Sequence, residues 1–210
     1  MTTIVLLRHA HSMANQENLL AGRTPGVTLS KLGQSQAQSL IERIGKTNID
    51  HIFISPMERC QLTIAPWLKS KYSKSISSYQ IDERLNEVDY GSWSNRKLSS
   101  LRRDPLWKVI QSTPSKVAFP EGEKMKAAQK RGVDIVNELL DARGNKVNLL
   151  VAHSDLIKMI ATHYLESHLD TFQRIDISPA SFTVITGRAD HFAIKTINSQ
   201  GSLSDYVSSR

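Results

Sequence analysis

Three apolar runs in this chain are each followed by histidine or arginine. Arg8, His9, Ala10, His11 and Ser12 come after Ile4, Val5, Leu6 and Leu7. Ser55, Pro56 and, one helical turn further, Arg59 come after residues 51–54. His153 and Ser154 come after residues 147–152. Arginine's planar fork takes phosphate oxygens two at a time, and imidazole is a capable nucleophile toward phosphorus. The set suits phosphoryl transfer, where catalysis is mostly positioning and charge stabilisation. It needs no metal, provided the arginines neutralise the phosphate. A leaving alkoxide needs a proton, and Glu83, Glu87 and Asp89 lie in one stretch that offers a carboxyl group. A nearby phosphate disfavours ionisation of such a carboxyl and the arginines favour it, so sequence leaves its protonation open.

For these groups to meet, the three runs must be parallel strands of one sheet, because ligands of open α/β sheets bind beyond the carboxyl ends of the strands. The intervening sequence agrees. Residues 30–45 carry apolar or small side chains at Leu32, Ser35 or Gln36, Leu40 and Ile44, as a helix would. Ser55-Pro56-Met57-Glu58 reads as a capping box with proline at the first helical position, opening a helix to about residue 72. A strand is expected near 76–81, loop over 84–93, a short helix at 105–111 and a longer helix from about 123 to 142. A strand at 147–152 precedes a helix at 154–165, and residues 182–185 and 192–197 read as a hairpin separated by Gly187-Arg188-Ala189-Asp190. Two helices thus begin on the reactive rim, near Pro56 and Ser154, where their free N–H groups favour an anion. The pattern predicts an α/β three-layer sandwich with a mostly parallel central sheet and an antiparallel edge. One domain over 1–210 is expected, with 96–122 as a cap segment and 198–210 as a polar, frayed tail.

A chain of 210 residues that is 40% hydrophobic can bury a sizeable core. It has no run of about 18 apolar residues for a membrane span, and residues 1–8 lack the form of a signal peptide. The single cysteine, Cys60, excludes an internal disulfide framework and points to a reducing cytoplasm. A net charge of +7 attracts anions in general, whether phosphate esters, nucleic acid or acidic lipid.

The motifs resemble the histidine phosphatase superfamily, in its phosphoglycerate mutase-like branch. The similarity starts at Arg8-His9-Ala10-His11-Ser12 with Asn15 and continues through residues 29–37, Ser55-Pro56-Met57-Glu58-Arg59-Cys60-Gln61-Leu62-Thr63 and Leu85-Asn86-Glu87-Val88-Asp89-Tyr90-Gly91-Ser92-Trp93. It ends with Phe119-Pro120-Glu121-Gly122-Glu123 and Val151-Ala152-His153-Ser154. The resemblance implies a phosphoglycerate mutase-like fold and His9 as the nucleophile that becomes phosphohistidine. It implies that Arg8, Arg59 and His153 hold the phosphoryl oxygens, that Asn15 adds a donor and that Glu87 gives the proton, with Asp89 as its alternate. Ser12 and Ser154 are expected to line the pocket, Ser154 also as a helix cap. No cofactor, no metal and no nucleic-acid or membrane partner is implied; the partner is a small phosphorylated substrate.

Ala10 replaces the family's usual glycine, and an added methyl there could shift the nucleophile if the turn is φ-strained. Asn95 also stands at a frequent glycine position. Residues 104–107, 172–175 and 179–181 resemble bacterial proteins labelled as phosphomutases. True mutases carry paired arginines for the substrate carboxylate, and Arg102-Arg103 is the only comparable pair here. A phosphatase is therefore favoured over a mutase. A metal site built on His9-x-His11 and His153-x-Asp155 has no helical His-x-x-x-His to support it. A non-catalytic anion or nucleic-acid binding protein finds support only in the basic charge, without an aromatic–basic pattern. Specificity is expected from residues 14–27, with the basic turn at Arg23, and from 96–122.

Overall fold

The computed structural model describes residues 1–207 apart from 74, 75, 77, 78, 143 and 189. In chain order it contains β1 (Thr2–Arg8), α1 (Met13–Gln16), β2 (Leu19–Leu20), α2 (Lys31–Ile44), β3 (His51–Ile54), α3 (Glu58–Leu68) and β4 (Tyr79–Ile81). Then follow β5 (Arg96–Lys97), α4 (Leu98–Leu101), α5 (Pro105–Ser112), α6 (Met125–Asp141), β6 (Val147–Ala152), α7 (Ser154–Tyr164), β7 (Phe182–Arg188) and β8 (His191–Ser199).

Strands β1, β3 and β6 are apolar on both faces because both faces are covered. Ile4, Leu6 and Leu150 point to a core shared with α6 and α7. Val5, Leu7 and Leu149 point to the opposite core, shared with α2 and α3. The six strands lie in the order β4-β3-β6-β1-β7-β8. The first four are mutually parallel, and β7 and β8 form the antiparallel edge. This is the three-layer α/β architecture that the alternation of elements predicts.

Several local expectations change. On α2 the buried stripe is Gly33, Ala37, Leu40 and Ile44, whereas Leu32 is 56% exposed. The small residues are needed because α2 starts against the loop after β1: a Cβ on Gly33 would stand 1.9 Å from the His11 carbonyl oxygen. Helix α3 has no capping box. It starts at Glu58 with Met57 as an N-cap that makes no side-chain bond; Ser55 stands outside the helix, its hydroxyl accepting from the Met57 amide at 3.3 Å and meeting His153 at 2.8 Å. It ends at Leu68, where the Ser73 hydroxyl donates to the last-turn carbonyl of Leu68 at 2.6 Å. For the strand expected near 76–81, β4 covers 79–81, and 77 and 78 lie outside the described residues. Of the hairpin turn, Gly187 and Arg188 are still in β7, and Ala189 lies outside the described residues. The stretch 84–93 is loop interrupted by 3-10 turns at Glu83–Leu85 and Gly91–Trp93. Helix α7 is preceded by His153 as its N-cap, so Ser154 is the first helical residue rather than a cap.

Residues 198–207 are not frayed. Asn198 and Ser199 complete β8, and Leu203 and Val207 are buried in the α2/α3 core. Arg43 ties the segment down by donating to the carbonyls of Ala180, Ser199 and Gly201.

Candidate active site

Register decides where the reactive residues stand. Arg8 of β1 pairs with Ala152 of β6, and Ile54 of β3 pairs with Val151. The three strands therefore end level, and His9, Ser55 and His153 leave the sheet together. The His9 amide donates to the Ala152 carbonyl at 2.9 Å, and the Ser55 amide donates to Val151 at 3.0 Å. The next turn is held from two helices. The Ala10 amide donates to Thr63 Oγ1 at 2.8 Å, and the His11 amide donates to Gln36 Oε1 at 2.8 Å. Ala10 is fully buried in the α2/α3 core and does not adopt a positive φ. The backbone strain expected from replacing glycine there is thus absent, since its methyl occupies a space in the core.

The His9 ring is buried, with Nδ1 at 2.7 Å from the Ala10 carbonyl. A carbonyl only accepts, so Nδ1 carries the proton and Nε2 keeps its lone pair. Burial, then the charges of Arg59 and Arg8, hold the His9 pKa well below the usual histidine range. The imidazole of His9 is therefore neutral at pH 7.

His153 lies beside His9, ring centroids 5.2 Å apart. Arg59, 1% exposed, donates from Nη2 to His153 Nδ1 at 3.1 Å and to the Gly22 carbonyl at 2.8 Å. Since Nδ1 accepts, His153 Nε2 donates to Ser55 Oγ. Both nitrogens of His153 are thus occupied by protein, so its ring packs behind Arg59. Cys60 is also buried here, and burial pushes its thiol up to about 12, which makes it inert.

A cavity of about 430 Å3 opens above this floor; Arg8, His9, Arg59 and Glu87 line it, with Ser12, Asn15 and Ser154. Ser12 caps α1 and shares a capping box with Asn15, whose Oδ1 accepts from the Ser12 amide and hydroxyl. The Asn15 backbone amide donates to the Ser12 hydroxyl at 3.2 Å, and its side-chain Nδ2 makes no hydrogen bond among the described residues.

Glu87 is 8% exposed and accepts one hydrogen bond, from the Val88 amide at 3.0 Å. Burial, reinforced by the Asp155 charge, raises its pKa to about 7. Asp89 accepts from the Gly91 amide and does not line the cavity. Asp155 accepts from the Tyr90 hydroxyl at 2.7 Å. Burial lowers the Arg8 pKa, and the carboxylates of Glu87, Asp155 and Asp176 raise it.

The loop that presents Glu87 is clamped. Arg131 donates to the carbonyls of Arg84, Asn86 and Glu87, and its other contacts are to Glu123. Arg23 donates to the Glu87 carbonyl at 3.0 Å and to Glu123 at 3.1 Å. The basic turn at Arg23 thus meets carboxylates of the protein itself. Gly91, φ 51°, closes the clamp: a Cβ there would meet the Pro120 carbonyl oxygen at 2.0 Å.

Both segments expected to set specificity reach the cavity. Leu19, Leu20 and Gly22 come from 14–27; Leu98, Trp107, Ile110 and Phe119 come from 96–122. They are joined by a small antiparallel sheet of β2 and β5, which sequence did not reveal. Asn95 enters it with φ 60°, a conformation asparagine tolerates nearly as glycine does. The Arg102-Arg103 pair is exposed and outside the cavity. His11 Nδ1 pairs with Ser30 Oγ at 2.8 Å, and among the described residues no three His, Cys, Asp or Glu gather as metal ligands. Sequence reasoning missed Thr63, Tyr90 and Arg131, and it considered Asp155 only as a metal ligand. Asp155 was visible as the third residue after a strand end, and Thr63 as the last residue of the motif that starts at Ser55; Arg131 carried no local signal.

Fold and site together define an α/β protein in which a histidine and two arginines share one cavity at the strand ends. The chain belongs to the histidine phosphatase superfamily (branch 1), whose family model matches residues 4–200. It is 26% identical over 191 residues to phosphoserine phosphatase 1 of Hydrogenobacter thermophilus, covering 88% of this chain and 86% of that protein. It is 26% identical over 185 residues to the 2,3-bisphosphoglycerate-dependent phosphoglycerate mutase of Thermoplasma acidophilum, covering 88% and 87%. Its fold matches the crystal structure of the alpha-ribazole phosphatase from Shigella flexneri with a TM-score of 0.82 at 20% identity, over 96% of this chain and 98% of that one.

Proposed function

We propose that this protein is a metal-independent phosphatase that hydrolyses small phosphomonoesters through a phosphohistidine at His9. The observation that carries the reading is the pairing of two opposite protonation states in one cavity. His9 is held neutral with Nε2 free, while burial and the neighbouring Asp155 charge lift the Glu87 pKa to about 7, so its carboxyl can hold a proton where an ordinary glutamate would not.

In the first step Nε2 of His9 attacks phosphorus and the ester P–O bond breaks. The Glu87 carboxyl gives its proton to the leaving oxygen. In the second step the Glu87 carboxylate takes a proton from water, the water oxygen attacks phosphorus and the P–N bond breaks, which returns the electron pair to His9. Arg8 and Arg59 neutralise the phosphoryl oxygens. Asn15 adds an N–H donor, and Ser12 and Ser154 line the phosphate end. His153 contributes in either of two ways: it supports Arg59, as its bonds in this structure do, or it turns to the phosphoryl group once Arg59 binds substrate. Residues 96–122 act as the cap over a single domain. A free, buried Cys60 supports a cytoplasmic location.

A mutase differs only in the acceptor, a second hydroxyl in place of water. The exposed Arg102-Arg103 pair, outside the cavity, argues against it. The test is hydrolysis of an aryl phosphate in excess chelator, wild type beside His9→Ala. Turnover should persist in chelator and fall by at least about a thousandfold in the variant. Acid-labile, alkali-stable labelled phosphate should remain on the wild type only. Transfer to 3-phosphoglycerate without hydrolysis would establish the mutase, and a fully active His9→Ala would end the phosphohistidine reading.

A further inference from the structure

The phosphate-binding residues occupy only the floor of the cavity, and the rest has a different chemistry. Its wall is apolar and aromatic. Trp93 and Trp107 stack with centroids 6.3 Å apart and planes 18° apart. Phe119 meets Trp93 edge-on at 5.7 Å. Leu19, Leu98, Ile110 and Phe172 are among the other apolar residues of the surface.

The cavity's cations largely face carboxylates of the protein itself: Asp155 and Asp176 both act on Arg8. Besides Arg8 and Arg59, the cavity holds one cation among the described residues, Lys158, and it lies 3.8 Å from Asp155. Asp176 adds a second carboxylate, and the remaining polar groups there are the neutral Gln111 and Gln173. A substrate carboxylate would therefore have to compete with Asp155 and Asp176 for Arg8 and Lys158, an arrangement that costs affinity. A volume of about 430 Å3 also falls in the range of pockets for ligands well beyond three carbons, roughly 300–1,000 Å3.

We propose that the outer part of this cavity is a leaving-group subsite for phosphomonoesters whose alcohol carries an aromatic ring and no carboxylate. The ring lies against Trp107 and Phe119, and Asp155 and Asp176 turn acidic alcohols away. This deepens the phosphatase reading and rests on it for the word "leaving".

The test separates the two. Phosphonates do not turn over, so their binding reports the subsite alone. Calorimetry on the wild-type protein compares 3-phenylpropylphosphonate, butylphosphonate and 4-phosphonobutanoate, which share a chain and differ in one end group. The phenyl compound should bind at least about tenfold tighter than the butyl compound, and the carboxylate at least about tenfold weaker. Trp107→Ala should cut the phenyl-to-butyl ratio to under about threefold; Trp107→Leu serves if the alanine variant unfolds. Equal affinity for phenyl and butyl, or a carboxylate that binds as well as butyl, would overturn the subsite. The predicted order of binding, with no hydrolysis of the matching 2-phenylethyl phosphate, would sink the phosphatase reading alone.

Discussion

At the floor of the cavity, His9, Arg59 and His153 take their places from main-chain structure. Three parallel strands end level, and His9 and Ser55 donate into the next strand. At the mouth, the main chain contributes only a two-residue ladder between β2 and β5 and two short helices, and a cluster of aromatic rings packs between them. The floor is stiff because a shift of any residue would break buried hydrogen bonds, each costing about 1–3 kcal/mol. The mouth is held by contacts that tolerate changes of shape at a lower cost. The difference teaches a division of labour: chemistry is fixed where the backbone fixes it, and selectivity lies where side chains can vary.

The largest effect that would sharpen this comparison is at Glu87. Glu87→Gln should lower kcat on alkyl phosphates by about 10²–10³-fold, in the range of a general acid, and much less on aryl phosphates with better leaving groups. With a pKa of about 7, the protonated form needed for the first step is lost as pH rises. Wild-type kcat/KM for alkyl esters should therefore fall above pH about 7, and the pH profile of Glu87→Gln should lack that limb. A limb that survives the substitution belongs to another group.

Next is Thr63, which touches no substrate and positions His9 through the Ala10 amide. Thr63→Val keeps the shape and orphans a buried N–H, costing about 1–3 kcal/mol. A Tm lower by several degrees and a kcat lower by about tenfold are expected, with KM changing less. A drop in Tm with kcat intact would make Thr63 merely structural and weaken the claim that the floor's backbone sets the chemistry.

At the mouth, Leu98→Ala should do the reverse, raising KM for a bulky ester by about threefold to tenfold and leaving kcat within about twofold. An equal loss in kcat would erase the distinction between the two ends. The smallest effect is Ala10→Gly. Because Ala10 is buried and unstrained, restoring the family's glycine should cost about 1 kcal/mol of stability, read by denaturant titration, with activity within about twofold. A marked gain in kcat would mean that the methyl does displace the nucleophile.

Much of the floor was legible in sequence for the reason that makes it rigid. An apolar run covered on both faces is a buried parallel strand, and whatever follows it lands on the rim. Strands 51–54 and 147–152 have the expected bounds, and His9, Arg59 and Glu87 reach one cavity. Local rules failed where a distant partner claimed the group. Ser55 looked like a helix cap and is bonded to His153, 98 positions away. Leu32 looked like core, but α2 turns Gly33 inward instead, where the approach to the His11 carbonyl admits only glycine. The tail looked polar, yet Leu203 and Val207 found a hydrophobic surface to bury.

The sequence by itself determined the class of fold, the order of the central strands and the longer helices, and the residue types able to handle a phosphate, since hydrophobic period and motif spacing are local properties. Only the tertiary structure decided that Glu87 and not Asp89 enters the cavity, that Arg23 and Arg131 clamp the loop behind it, and that His153 spends both nitrogens on Ser55 and Arg59. Those outcomes depend on burial and on partners tens of residues away. Burial is also what holds His9 neutral and lifts Glu87 to neutrality, and no pattern along the chain carries that information.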